Sequence, residues 1–345
     1  MSDELDGSQL GPKRYGAELT EFASEVAFRP GREAQLDDAD LRIIDTLVRD
    51  GRTNARSMVD VAGLTEETVA ARIRSLIDRN IIGITAIFDW HAAGYHWDVW
   101  LAVECEGGPI APVVKALAEL DEVVSIYTVF GPIDLVVQVL CTDREALLEF
   151  LSGTLTQVSG IRKADVMLSL DTVKYFHQFA WVPVAPQPLR FPNPAVELSD
   201  LDLSIIDAVV RNGRTSNREI GRELGIADGT VRAHLRRLEE AGMLRICAQV
   251  HPALSGMIHA RAFVGISVQG ASTADVAVAL SEIAEVVTIS ITAGRFELFC
   301  YVLARSRTRL IEIVSEQIRP MKGVRSSETW EVIAGDKHIS HWARW

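Results

Sequence analysis

The sequence predicts an α+β chain of two tandem units, each a winged helix-turn-helix followed by a ferredoxin-like βαββαβ sandwich. Three observations carry that expectation. The chain repeats itself: shifted by 162 positions, residues 36–84 align without a gap with 198–246, and 20 of the 49 pairs are identical. Within each copy the apolar spacing is helical at first and then alternates as in strands. Between the copies, residues 182–197 hold five prolines, which predicts a semi-rigid, extended spacer.

The elements follow in order. Residues 1–35 are polar and aperiodic and are expected to be a disordered extension. Leu36, Leu41, Ile44, Leu47 and Val48 then form one stripe of an amphipathic helix with acids near its start. Asp50-Gly51-Arg52 ends that helix, with Gly51 suited to a left-handed cap. A short helix over 54–62, a tight turn at Gly63-Leu64-Thr65 and a third helix over 66–79 complete a helix-turn-helix, with Thr65 as cap. Copy two repeats this over 203–211, 217–224 and 228–241.

Each copy then changes period. Strand, helix, strand, strand, helix, strand are expected at 97–105, 110–120, 122–130, 133–141, 143–155 and 164–176, and again from 260 to 332. The domain boundaries follow as 36–84, 85–181, 198–246 and 247–345, around the extension and the spacer. A four-stranded sheet of this kind has one face open, so two in one chain predict an intramolecular pseudo-dimer. Leftover sheet edges and the tail tryptophans Trp342 and Trp345 predict further assembly into a homo-oligomer.

Composition narrows the function. Of 345 residues, 48% are apolar and 24% charged, and no apolar run approaches the roughly 18 residues of a membrane span. The acidic N-terminus shows no secretory signal, and the four cysteines form no CxxC pair, so a cytoplasmic protein without disulfides is expected. No phosphate loop or HExxH motif is present, and no cofactor, metal or catalytic residue is assigned. The net charge of −12 is uneven: residues 85–180 hold 13 acids against 5 bases, whereas 198–246 balance 8 against 8.

In a helix-turn-helix the second helix of the pair enters the major groove, so its exposed face should be basic. Copy one offers Thr68, Arg72 and Arg74; copy two offers Thr230, Arg232, His234, Arg236 and Arg237. Arginine suits bidentate contacts to guanine or phosphate. Glu66 and Glu67 at the start of the first reading helix would repel phosphate, which makes copy one the weaker reader. Two unlike heads predict an imperfect palindrome as the target.

These motifs resemble the Lrp/AsnC family of transcriptional regulators. The matching string is Leu-Asp-x-x-Asp-x-x-Ile-Ile at 36–44, Asp-Gly-Arg-Thr at 50–53, Gly-Leu-Thr-x-x-x-Val-x-x-Arg-Ile-x-x-Leu at 63–76, and Gly131-x-x-Asp134. The resemblance covers both copies and implies double-stranded DNA and a small effector, often an amino acid, as partners. It places the effector between sensing modules at Gly131 and Asp134, and at Gly294 and Glu297 in copy two. The alternative is a siroheme-decarboxylase-like enzyme on the same two-part unit, drawing on His91, His96, His177, His251 and His259.

Overall fold

The computed structural model describes residues 36–175, 189–251, 255, 257–338 and 341–344. The extension 1–35, the start of the spacer at 182–188, His177 and Trp345 lie outside the described residues. The first head holds α1 (Asp38–Arg49), a 3-10 turn (Ala55–Met58) running into α2 (Val59–Ala62), and α3 (Glu66–Asp78). The second holds α6 (Asp200–Arg211), α7 (Asn217–Leu224) and α8 (Asp228–Glu240). Asp37 and Ser199 each start their head with a reciprocal capping box. Gly63 and Gly225 both take the left-handed conformation that ends the middle helix, at φ 68° and 70°.

Gly51 departs from its expected role. The residue that caps α1 is Asp50, in extended conformation. Gly51 is needed for space instead: a Cβ there would lie 2.7 Å from Ile84 Cγ2 and 3.0 Å from Cys247 Cα.

The strands β1 (Ile82–Asp89) and β6 (Leu244–Val250) leave the two heads and pair with each other, antiparallel, over seven residue pairs. The tail strand β11 (Trp342–Ala343) adds to β1 in parallel at Phe88 and Asp89. One apolar core joins both heads to this ribbon, with Ile43, Ile84, Phe88, Ile205 and Ile246 among its members.

The sensing modules contribute β2 (Trp97–Cys105), β3 (Val123–Phe130), β4 (Leu135–Cys141), β5 (Ile161–Tyr175), β7 (Ala260–Val268), β8 (Val286–Ala293), β9 (Leu298–Ala304) and β10 (Val324–His338). They close into one barrel of order β10-β3-β4-β2-β5-β8-β9-β7. Closure depends on the two 15-residue strands. β5 pairs with β2 up to Leu168 and from there with β8 of the other unit. β10 does the same from β7 to β3, and bulges at equivalent positions let both strands change sheet. The pseudo-dimer is therefore one continuous barrel. No sheet edge remains on it for further association, and Trp342 is 5% exposed, packed against Phe88, Tyr95 and Phe191. The described part of the spacer is docked too, through Phe191 and a hydrogen bond from Ala195 N to Ala92 O.

Helices α4 (Ala111–Ala118), α5 (Arg144–Glu149), α9 (Thr273–Ser281) and α10 (Arg307–Glu312) cover the outside over two separate cores. α5 and α10 each continue as a π-turn, at 150–154 and 313–318, where one regular helix was expected. Inside the barrel Trp100, Tyr127, Phe263, Phe299 and Trp330 pack together, with Phe263 and Phe299 stacked at 5.3 Å.

One inward-facing group titrates abnormally. Burial pushes the Asp98 carboxyl up to about 6, against the opposing hydrogen bonds from Gln138 and Ser169. The folded state therefore holds this proton more tightly than the unfolded state, whose ordinary value is 3.8. Stability from this group rises as pH falls from about 6 to about 4 and is absent above. Asp98→Asn keeps the oxygen that accepts from Gln138 Nε2 at 2.9 Å. It is expected to stabilise the protein at pH 7 by about 1–3 kcal/mol and to flatten that pH dependence. Urea midpoints of both proteins at pH 4.5 and 7 measure this.

Candidate DNA-reading and effector sites

The reading helices are held by a device repeated in both heads. Arg72 donates to Asp37 Oδ2 at 2.6 Å and to Asp40 Oδ1 at 2.9 Å. At the matching position His234 Nδ1 lies 2.7 Å from Asp202 Oδ1, and Arg237 reaches Asp202 Oδ2 at 2.8 Å. Asp202 is only 1% exposed. Burial pushes its carboxyl up, but the bonds from Ser199, His234 and Arg237 win and hold it well below the usual carboxylate range. Arg72, His234 and Arg237 thus fasten α3 to α1 and α8 to α6. Arg72 Nη1, His234 Nδ1 and Arg237 Nη2 are engaged inside the heads, a structural role beside the groove contacts expected of them.

The other expected contacts differ. Arg74, Arg232 and Arg236 are exposed, and Arg232 lies 3.8 Å from Asp228. Arg236 makes an i, i+4 pair with Glu240 at 2.7 Å, an exposed contact that a phosphate can displace. Thr68 is exposed and bonds the Thr65 hydroxyl at 2.8 Å, while Thr230 is half-buried. The leading acids of α3, Glu66 and Glu67, are exposed as well.

The heads are clasped to each other by the repeated Gly-Arg-Thr turn. Arg52 donates from Nε to Gly213 O at 2.9 Å, from Nη1 to Asn217 Oδ1 at 2.7 Å and from Nη2 to Thr215 O at 2.9 Å. Arg214 answers with Nη1 to Gly51 O at 2.9 Å and Thr53 O at 3.2 Å. Gly51 N donates to Ile246 O and Gly213 N to Ile84 O, so each turn also docks on the ribbon. Burial lowers the pKa of both arginines, which still exceeds any pH that matters here. Sequence reasoning read this turn only as a helix end. The signal was present: the tripeptide is identical in both copies, and a helix end alone does not require arginine.

At the expected effector hairpins, the acids face the backbone. Asp134 Oδ2 accepts from Cys105 N at 2.7 Å, and Glu297 Oε2 accepts from Val268 N at 3.0 Å. Each carboxylate ties its hairpin to the neighbouring strand of its own unit. The glycines reach the other unit. A Cβ on Gly131 would stand 3.1 Å from the Trp330 indole, and one on Gly294 only 2.2 Å from Val166 O. Arg295, where copy one has Pro132, bridges Asp165 of one unit at 3.0 Å and Glu328 of the other at 2.8 Å. Its guanidinium also lies 5.4 Å above the Trp330 ring.

Comparison with known proteins bears on this arrangement. The family model of the Lrp/AsnC ligand binding domain matches residues 98–179 and again 261–335. The AsnC-type helix-turn-helix domain matches 36–82, and a winged helix-turn-helix DNA-binding model matches 198–245. The chain belongs to the Lrp/AsnC family. It is a tandem member, since the pair of domains occurs twice. The HTH-type transcriptional regulator FL11 of Pyrococcus horikoshii is 33% identical over 140 residues, which are 40% of this chain and 92% of that protein. The HTH-type transcriptional regulator Ptr1 of Methanocaldococcus jannaschii is 31% identical over 137 residues, 39% of this chain and 92% of its own. Among solved structures, the siroheme decarboxylase NirDL matches with a TM-score of 0.61 at 14% identity, covering 87% of this chain and 93% of that one. At that identity the match shows that the two share a fold.

Proposed function

We propose that this tandem Lrp/AsnC protein is a sequence-specific, effector-responsive transcriptional regulator that binds double-stranded DNA as a single-chain pseudo-dimer. The observation that carries the reading is the pair of clasped heads, each presenting exposed arginine on its reading helix: Arg74 on α3, Arg232 and Arg236 on α8. Regulators named as such are its relatives, and in described residues no helix is long and apolar enough to cross a membrane. A cytoplasmic location fits that role. The heads differ, so the target is an imperfect palindrome whose half-sites lie on one face of the duplex, ~34 Å or a multiple of it apart.

Fluorescence anisotropy with DNA from the gene's own upstream region, against a scrambled duplex at several salt concentrations, tests this. Selective binding with a log–log salt slope of several units is expected. Arg74→Ala, Arg232→Ala and Arg236→Ala should each lower the slope by about 1 and the affinity several-fold. Arg237→Ala should instead lower the melting temperature, because it unfastens Asp202. Absence of selectivity at low salt would end the regulator reading and turn attention to the siroheme-decarboxylase pattern, which a visible band on adding a porphyrin would support.

For the effector, the hairpin tips at Gly131–Asp134 and Gly294–Glu297 border the site, and their carboxylates shape the tips. The amino-acid class rests on the family resemblance. Homo-oligomer contacts are assigned to the seam of β3 and β10, where Phe130 is 74% and Ile333 61% exposed. Phe130→Glu with Ile333→Glu should reduce the sedimenting mass to that of one chain. An unchanged mass would remove the seam from consideration.

A further inference from the structure

The two heads are related by pseudo-symmetry, yet the side chains beside the ribbon differ between them. A groove of ≈ 550 Å³ runs between α3 of the first head, the start of β1 and the end of α6 with its turn. Three arginines line it, Arg74, Arg211 and Arg214, together with the amides of Asn80 and Asn212. No carboxylate does, in a chain whose net charge is −12. Apart from Gly83 and Thr85, whose hydroxyl donates to Val210 O, the remaining lining is apolar, with Ala70 and Ile77 along the α3 wall.

The 162-residue shift explains why the opposite side differs. Arg232, Glu239 and Arg245 there occupy the positions that Ala70, Ile77 and Gly83 hold here. Small and apolar side chains in the first copy are matched by long charged ones in the second, and the charge of Glu239 acts on Arg52. Arg214 uses Nη1 for its two carbonyls, and its other two nitrogens donate to no partner among the described residues. Arg211 pairs with Asp207 and Glu223, all three about half exposed, so an incoming anion meets a pairing that costs little to exchange.

We infer that this groove binds a small organic anion with an apolar body. The acid group lies between Arg211 and Arg214, and the apolar part lies over Ala70 and Ile77. Bridging α3 of one head to the turn of the other, the ligand fixes the head spacing that the clasp sets. This deepens the regulator reading, on which its consequence for DNA rests; the site itself is measured without DNA.

The probe is 8-anilinonaphthalene-1-sulfonate, an aromatic anion whose fluorescence rises on leaving water, titrated into the full chain. One saturable site per chain is expected. Ala70→Arg, which copies the residue of the second head onto a helix surface, should weaken it at least ten-fold. Ile77→Glu, which adds the second copy's carboxylate, should do the same by charge rather than bulk. Ile311→Glu, exposed on α10, should leave it unchanged, and melting temperatures confirm that each variant is folded. Binding within two-fold of the parent in both groove variants, or no saturable site at all, overturns the inference. If the site is present but the probe does not alter DNA affinity, the groove stands and its regulatory consequence falls.

Discussion

Gly294→Ala is expected to lower the melting temperature by roughly 3–5 °C, corresponding to about 3 kcal/mol in a protein of this size. The cause is local and has two parts. The backbone at Gly294 sits at φ 148°, which L-residues rarely adopt. A methyl group there would also stand 2.2 Å from Val166 O, a backbone atom within the β2–β5 pairing that cannot swing aside. The hairpin tip would have to lift from the opposite sheet and take Arg295 with it, away from Asp165. Gly153→Ala is the control, since nothing lies within 4 Å of its added carbon. Thermal melts of the two variants decide the matter. If Gly294→Ala melted with the parent and changed only effector response, the glycine would be there for a ligand and not for the barrel.

The second large effect concerns the clasp. Arg52→Ala with Arg214→Ala removes five hydrogen bonds between the heads. Charged donors to carbonyl oxygens in a half-buried setting contribute about 2 kcal/mol per arginine. The ribbon and barrel retain their own ladders, so the chain should still fold. Heads that no longer hold a common orientation must be ordered when DNA binds, and that cost appears as lost affinity. Affinity for a two-half-site operator should fall at least ten-fold, while binding to one half-site is nearly unchanged. A loss that is equal on both DNAs would mean that the arginines touch phosphate directly.

Much of this architecture was readable before any coordinates. The 162-residue repeat, the Gly63 and Gly225 turns and the change of period after each third helix locate the helices of the heads and the strands of the sandwiches, but not the ribbon strands β1 and β6 or the tail strand β11. The pseudo-dimer also follows, because an open sheet face needs a cover. What was not readable depends on partners far apart in the chain. Arg72 meets Asp40 across 32 residues, and Arg214 meets Gly51 across 163. From sequence, an arginine on a helix face looks the same whether it faces solvent, DNA or a carboxylate of its own domain. Barrel closure was hidden for a related reason. It needs β5 and β10 to be long enough for two sheets and bulged where they cross, and alternation alone does not reveal a bulge. Asp134 and Glu297 do lie at the two hairpins, but spacing cannot say that a carboxylate points back at the backbone.

The crossing strands have a further consequence. A regulator assembled from two separate chains comes apart on dilution, and its occupancy of a paired site depends on the square of subunit concentration. Here β5 and β10 make each half of the barrel finish the other within one polypeptide. The heads are present at a fixed one-to-one ratio, and the effective concentration of one for the other does not depend on expression level. Occupancy of a paired site by one chain should therefore rise with the first power of its abundance. Each head is also free to drift in sequence without ever meeting a copy of itself in the same reading unit.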